Sequence, residues 1–250
     1  MYPSYPLPWR LALSLLWSVA RKQRRSFRQD AITALSFCRF PIQVEGKENI
    51  PARGPAVVVA NHYSRPGFGA WWIALAISTQ VPAEMHWGMT AAWTFGDTII
   101  SWVLAEISRR LFPRIAEVYG FTAMPPMPPR PFEQAARAQA VRRILTEAKA
   151  QPPPIFGMAP EGQDTPGGAL MRPYPGVGRF LYHLACLGYP FYPAGVHEEA
   201  DSLCLSFGPR FYLELPGSLS TEEIDRRASQ MVMQALARQL PGRLRGESDY

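Results

Sequence analysis

The segment PAVVVAN at residues 55–61 constrains the fold more than any other stretch of the chain. An unbroken apolar run with a β-branched centre, bounded by Pro55 and Asn61, reads as a strand buried on both faces. Such strands belong to sheets that helices cover on both sides. The rest of the chain supplies those helices, at residues 69–77, 98–112, 132–150, 176–188 and 221–240. Further strands are expected at PIQVEGKENIP, PIFGMAPEG, YPFYPAGVH, LCLSFG and RFYLEL, the last two joined by a Gly208-Pro209 turn. Strands alternating with helices predict an α/β fold, a mostly parallel sheet flanked by helices, spanning residues 41–250. Ligands of such sheets bind just past the carboxyl ends of the strands, where His62 and Glu161 both fall.

The net charge of +6 is confined to one end. The first 40 residues carry seven basic side chains against one acid, Asp30, and the other 210 carry 19 of each sign. A neutral body argues against nucleic-acid binding. The basic end is also amphipathic. On a helical wheel of PWRLALSLLWSVARKQRRSF, residues 8–27, the side chains Arg10, Ser14, Ser18, Arg21 and Arg25 fall within an arc of roughly 80°. Trp9, Leu13, Leu16 and Ala20 lie opposite, and a second apolar pattern follows at Ala31, Ile32, Ala34, Leu35, Phe37 and Cys38. Residues 1–40 therefore read as an amphipathic two-helix membrane motif.

The apolar stretch is about half of the ~20 residues that span a bilayer, so it would lie in the interface. Trp9 and Trp17 would sit at headgroup level, and the bases from Arg21 to Arg28 on anionic phosphate. Packing against the protein's own core is the competing fate. A secretory signal ending at Ser18-Val19-Ala20 is a third, disfavoured because basic charge just after an apolar run is retained on the cytoplasmic side. The expected location is the cytoplasmic face of the cell membrane, as a peripheral or monotopic protein.

Cys38, Cys186 and Cys204 are far apart and fit no metal or redox spacing, so they are expected as free thiols. His86, His183 and His197 form no cluster with zinc spacing, and no metal is expected. His183, within an apolar helix pattern, is expected in the core. No G-x-S-x-G elbow points to a serine hydrolase, and no G-x-G-x-x-G to a dinucleotide. The aromatic and Met-rich residues 70–95 suit the lining of a channel for an apolar chain or an apolar core wall.

Three blocks in order resemble the glycerolipid acyltransferase family, typified by bacterial lysophosphatidic acid acyltransferase. VEGKENIPARGPAVVVANH resembles the lead-in to the family's N-H-x-x-x-x-D block, carried by Asn61 and His62. APEGQDTPGGALMRPYPGVGRFLYHLA resembles the E-G-T-R block and the glycine-started helix after it, carried by Glu161 and Gly162. FYPAGVHEE resembles the short V-P-V strand, with Pro193 in the proline place. The basic N-terminus resembles the family's two-helix membrane motif.

The resemblance implies esterification of a hydroxyl by a fatty acyl thioester, either acyl-CoA or acyl carrier protein, with no bound cofactor. His62 becomes the catalytic base, for which an imidazole is well matched near neutrality. Asn61, Glu161 and Gly162 become substrate-site residues, with Arg172 a candidate replacement cation.

Two positions depart from the pattern: Gly67 stands where the family has its aspartate, and Asp164 where it has the arginine. Loss of an orienting carboxylate costs about 10⁴ in rate in a serine-protease triad. A negative charge in place of an arginine disfavours a phosphate-bearing acceptor, so a neutral hydroxyl of a lipid or alcohol fits better. The departures leave two alternatives to the acyltransferase, a non-catalytic lipid-binding or scaffold protein and a hydrolase of acyl thioesters.

Overall fold

A computed structural model describes residues 2–6, 8–93, 99–128 and 130–246. The chain begins with helices α1 (Trp9–Arg21) and α2 (Phe27–Ser36), then strands β1 (Ile42–Glu45), β2 (Ala56–Ala60) and β3 (Tyr63–Ser64). Helix α3 (Trp71–Gln80), strand β4 (Met85–Thr90), helix α4 (Ile99–Tyr119), strand β5 (Thr122–Met124) and helix α5 (Gln134–Glu147) follow. The last part comprises β6 (Ile155–Met158), β7 (Thr165–Pro166), α6 (Val177–Cys186), β8 (Phe191–Glu199), β9 (Ser202–Phe207) and α7 (Thr221–Ala237).

Seven strands form one sheet in the order β1-β9-β8-β2-β6-β4-β5. Every pairing is parallel except that of β8 with β9. The run AVVVA is the central strand, and all five of its residues are buried. The pleat divides them. Ala56, Val58 and Ala60 join the core built with α2 and α3, whereas Val57 and Val59 face Ile144 of α5, Leu181 and Leu184 of α6 and Val232 of α7. Two-sided burial of β2 explains why its sequence shows no alternation.

The two N-terminal helices occur as expected, with the break at Lys22 in the left-handed region (φ 53°). They are not a detached unit, because Ala31, Ala34 and Leu35 of α2 lie in the main core. Arg25 turns back after the break. It grips Asp30 through Nε–Oδ2 and Nη2–Oδ1 at 2.6 Å each, and donates to the hydroxyls of Ser14 and Ser18. Tyr119 of α4 donates to the same Asp30 at 2.7 Å. Arg28 donates to the carbonyl of Val81. Arg25 and Arg28, two of the bases expected on anionic phosphate, are thus engaged by groups of the protein itself.

Other expectations change as well. RFYLEL forms no strand, because β1 already occupies the outer edge of β9, and this segment makes a single bridge between Phe211 and Phe191. Within residues 70–95, Trp72, Met85 and Trp87 are core wall and β4 is an additional strand, while Trp71 and Trp93 are exposed. Thr94, Phe95 and Thr98, which fell in that stretch and at the expected start of the 98–112 helix, lie outside the described residues. That helix runs on through Pro113 to Tyr119. No helix among the described residues is long and apolar enough to cross a membrane.

Candidate active site

Strands β2 and β6 are parallel neighbours, with Val57 opposite Phe156 and Val59 opposite Met158. The chain leaving each therefore emerges at the same edge of the sheet, and there β3 and β7 pair in parallel, Tyr63 opposite Thr165. This small pair brings His62 and Glu161, 99 residues apart in sequence, into contact.

Just past β2 the chain stays extended, and its side chains alternate. Asn61, Tyr63 and Arg65 turn toward β8. The Asn61 amide donates to the carbonyl of Val196 and accepts its N–H, both at 2.8 Å. Tyr63 donates its hydroxyl to Glu198 at 2.9 Å, and Arg65 donates Nε to the same carboxylate at 2.6 Å. Glu198 is 4% exposed, so this is a buried ion pair completed by a phenol. Burial, then the hydrogen bond to Glu198, pushes the Tyr63 hydroxyl up to about 12, which keeps it a donor.

His62 faces the other way. Its main-chain N–H donates to Glu161 Oε2 at 2.6 Å, and its carbonyl accepts the hydroxyl and the N–H of Thr165 at 2.9 and 3.2 Å. The second Glu161 oxygen accepts the Met171 N–H at 2.9 Å and the Thr165 hydroxyl at 3.3 Å. Glu161 is 1% exposed. Burial raises its pKa, and the N–H groups of Met171 and His62 oppose that rise. Gly162 holds φ 72°, the left-handed turn that ends β6, where a Cβ would meet the Met127 side chain at 3.1 Å.

The imidazole is half-buried, and its Nδ1 lies 3.0 Å from Asp164 Oδ1, close enough for an ion pair but out of line for a hydrogen bond. The Asp164 side chain is 65% exposed. Gly67 occupies the third position of a tight turn from Arg65 to Phe68, with φ 86°.

The expected site residues thus divide. His62 stands at the strand end with its ring partly open. Asn61 and Glu161 have their polar atoms engaged by protein and frame the site rather than reaching out for substrate. Arg172 is exposed one residue beyond Met171. The N-terminus of α6, a ready anion site in principle, is capped by Asp225, which accepts from the Gly176 and Arg179 N–H groups at 2.8 Å each.

Thr165, Met171 and Glu198 were not singled out from sequence, since their roles depend on pairings between distant segments. His183 is exposed on α6, not in the core, because its position falls outside the buried Gly178–Leu181–Leu184 stripe. His197 is less isolated than its spacing implied. It opposes Cys204 across β8 and β9, and one ligand-type atom each from His197, Glu199 and Cys204 lie within 4.8 Å of one another. Glu199 is the exposed member of this trio.

A histidine at the carboxyl end of a central parallel strand, its main chain held by a buried glutamate from the neighbouring strand end, places the candidate site where α/β proteins bind their ligands. The acyltransferase family model matches residues 41–197, well over half of the chain. The protein belongs to that family, and is an acyltransferase. Among solved structures, the fold is similar to PlsC, the 1-acyl-sn-glycerophosphate (LPA) acyltransferase of Thermotoga maritima. The two superpose with a TM-score of 0.52 at 15% identity, over 91% of this chain and 81% of that one. No curated protein sequence matches the chain.

Proposed function

We propose that this protein transfers a fatty acyl group from an acyl thioester, acyl-CoA or acyl carrier protein, to a hydroxyl of a lipid or alcohol at a membrane surface. The observation that carries the reading is the placement of His62, its main chain clamped by Glu161 and Thr165 and its imidazole left to the open side. In the reaction, the acceptor hydroxyl passes its proton to His62 as its oxygen attacks the thioester carbonyl. Collapse of the tetrahedral adduct breaks the carbon–sulfur bond, and the departing thiolate takes the proton from the imidazolium. The products are an ester and the free thiol of the carrier.

A phosphate-free acceptor suits the charges around the base. Asp164 lies beside the ring, Arg65 is committed to Glu198, and the α6 N-terminus to Asp225. Attachment to anionic lipid on the cytoplasmic face is supported by α1, which buries only Ser18 and Val19 among its residues and leaves Arg10, Arg21 and an apolar face exposed. Ser18 is buried under Arg25, while Trp9, Leu13, Leu16 and Trp17 are 47–63% exposed. Arg10 and Arg21 lie over the rings of Trp9 and Trp17. Ile100, Val103, Leu104 and Ile107 form a second exposed apolar stripe on α4.

The test is acyl transfer by the full chain from labelled acyl-CoA and acyl carrier protein, over acceptors with and without phosphate, beside His62→Ala. Ester formation on a phosphate-free acceptor that the variant loses is the expected result. Free fatty acid with no ester would indicate hydrolysis. Wild type and variant equally silent, with liposome binding intact, would overturn the enzymatic reading in favour of a lipid-binding role.

A further inference from the structure

We propose that Asp164 is the positioning carboxylate of His62, occupying in space the role that Gly67 leaves vacant in sequence; this rests on the reading of His62 as the base. A base histidine needs its second ring nitrogen held, so that one tautomer faces the acceptor. Three features of this chain supply that hold from an unexpected place.

The first is register. Tyr63 pairs with Thr165 in parallel strands, so the residues before them, His62 and Asp164, lie side by side where that pairing begins. Thr165 reinforces the alignment by donating twice to the carbonyl of His62. The 3.0 Å approach of Asp164 Oδ1 to His62 Nδ1 is therefore set by the backbone, and is not the reach of a long surface side chain.

The second is the geometry of Gly67. It is the residue after Pro66 in a turn closed by reciprocal hydrogen bonds between Arg65 and Phe68, at 3.0 and 2.9 Å. At φ 86° a side chain is strained, so an acid carried at that position would have to hold a left-handed backbone. The third is the orientation left to the ring. With Nδ1–H turned to Asp164, the lone pair of Nε2 is the one available to a hydroxyl. A small rotation brings the present off-line contact into hydrogen-bond geometry, as catalytic pairs commonly tighten once substrate is bound.

Because Asp164 is mostly exposed, water screens its charge. Its contribution is orientation more than stabilisation of the imidazolium, so its removal costs less than in a buried triad, about 10- to 100-fold in kcat.

The experiment compares wild type, Asp164→Asn and Asp164→Glu, all full length, by acyl-transfer kinetics and by ¹⁵N spectra of the His62 imidazole. The Asn variant is expected to lose about 10- to 100-fold in kcat with KM within about twofold, and to shift the tautomer balance away from Nδ1–H, with Glu restoring part of both. Wild-type kcat and an unchanged tautomer balance in the Asn variant, with His62→Ala dead, would overturn the role of Asp164 and leave the acyl-transfer reading standing. A drop in KM confined to phosphate-bearing acceptors, at constant kcat, would reassign Asp164 to acceptor choice. If wild type transfers no acyl group, that reading fails, and the ¹⁵N spectra alone decide whether Asp164 holds His62.

Discussion

Glu161 accepts the main-chain N–H of His62 at 2.6 Å, so the glutamate governs where the histidine sits without touching its imidazole. Its other oxygen ties down Met171 and Thr165, and three segments converge on one buried carboxylate. Glu161→Gln keeps the shape but turns an amide NH₂ toward at least one of these donors. A buried donor left unsatisfied costs about 1–3 kcal/mol, and the variant is expected to lose that much stability in urea unfolding. Activity should fall at least about tenfold through kcat, since a displaced base misplaces the attacking hydroxyl. Wild-type kcat in a correctly folded variant would show that the clasp is dispensable.

Glu198 anchors the other side of the same loop. It is almost fully buried and accepts from both Arg65 and Tyr63, fixing the chain on either side of Ser64 to the end of β8. Glu198→Ala strands a largely buried guanidinium, and breaking a buried pair in this way costs about 3–5 kcal/mol. Denaturant titration checks the figure. Glu198→Ala with Arg65→Met should recover part of the loss, because no unpaired charge then remains.

His86 gives a pH signature separate from the site. Burial, followed by the charges of Arg143 and Arg24, lowers its pKa from 6.5 to about 4, and Nε2 pairs with the Thr122 hydroxyl at 2.8 Å. The unfolded chain therefore binds the extra proton first as pH falls. The associated stability is complete above pH 6.5 and declines toward the folded value near 4, by about 2 kcal/mol between pH 7 and pH 5. His86→Gln keeps a hydrogen-bonding side chain but does not titrate. Its unfolding free energy should lack this slope; an identical slope in both proteins would place its origin elsewhere.

The strand ends were legible because AVVVA and IFGM carry their burial in composition, and His62 and Glu161 follow them within a few residues. Asp164 was legible only as a charge in an arginine's place. Its proximity to His62 depends on β3 and β7, two residues each, which are too short to show any periodicity. Arg25 misled for a different reason. A wheel assumes an unbroken helix, but the chain turns at Lys22 and carries Arg25 back onto Ser14, Ser18 and Asp30. RFYLEL has the composition of a strand, yet strand formation also needs a free sheet edge, and β1 had taken it.

The inward turn of Arg25 also changes how membrane attachment should be tested. Deleting residues 1–40 would remove Ala31, Ala34 and Leu35 from the core and the Asp30 anchor of Tyr119, so loss of binding would be confounded by unfolding. Trp9→Ser with Trp17→Ser is the cleaner change, since both rings are more than half exposed and fill no part of the core. Surface substitutions of this kind alter stability by no more than about 0.5 kcal/mol. Burying a large apolar side chain contributes about 1.5–3 kcal/mol, so losing two partly inserted indoles should weaken partitioning about tenfold or more. Sedimentation with anionic vesicles, beside a melting curve, separates the two effects. Unchanged pelleting at an unchanged melting temperature would exclude α1 as the attachment face and leave the exposed stripe of Ile100, Val103, Leu104 and Ile107 as the next surface to alter.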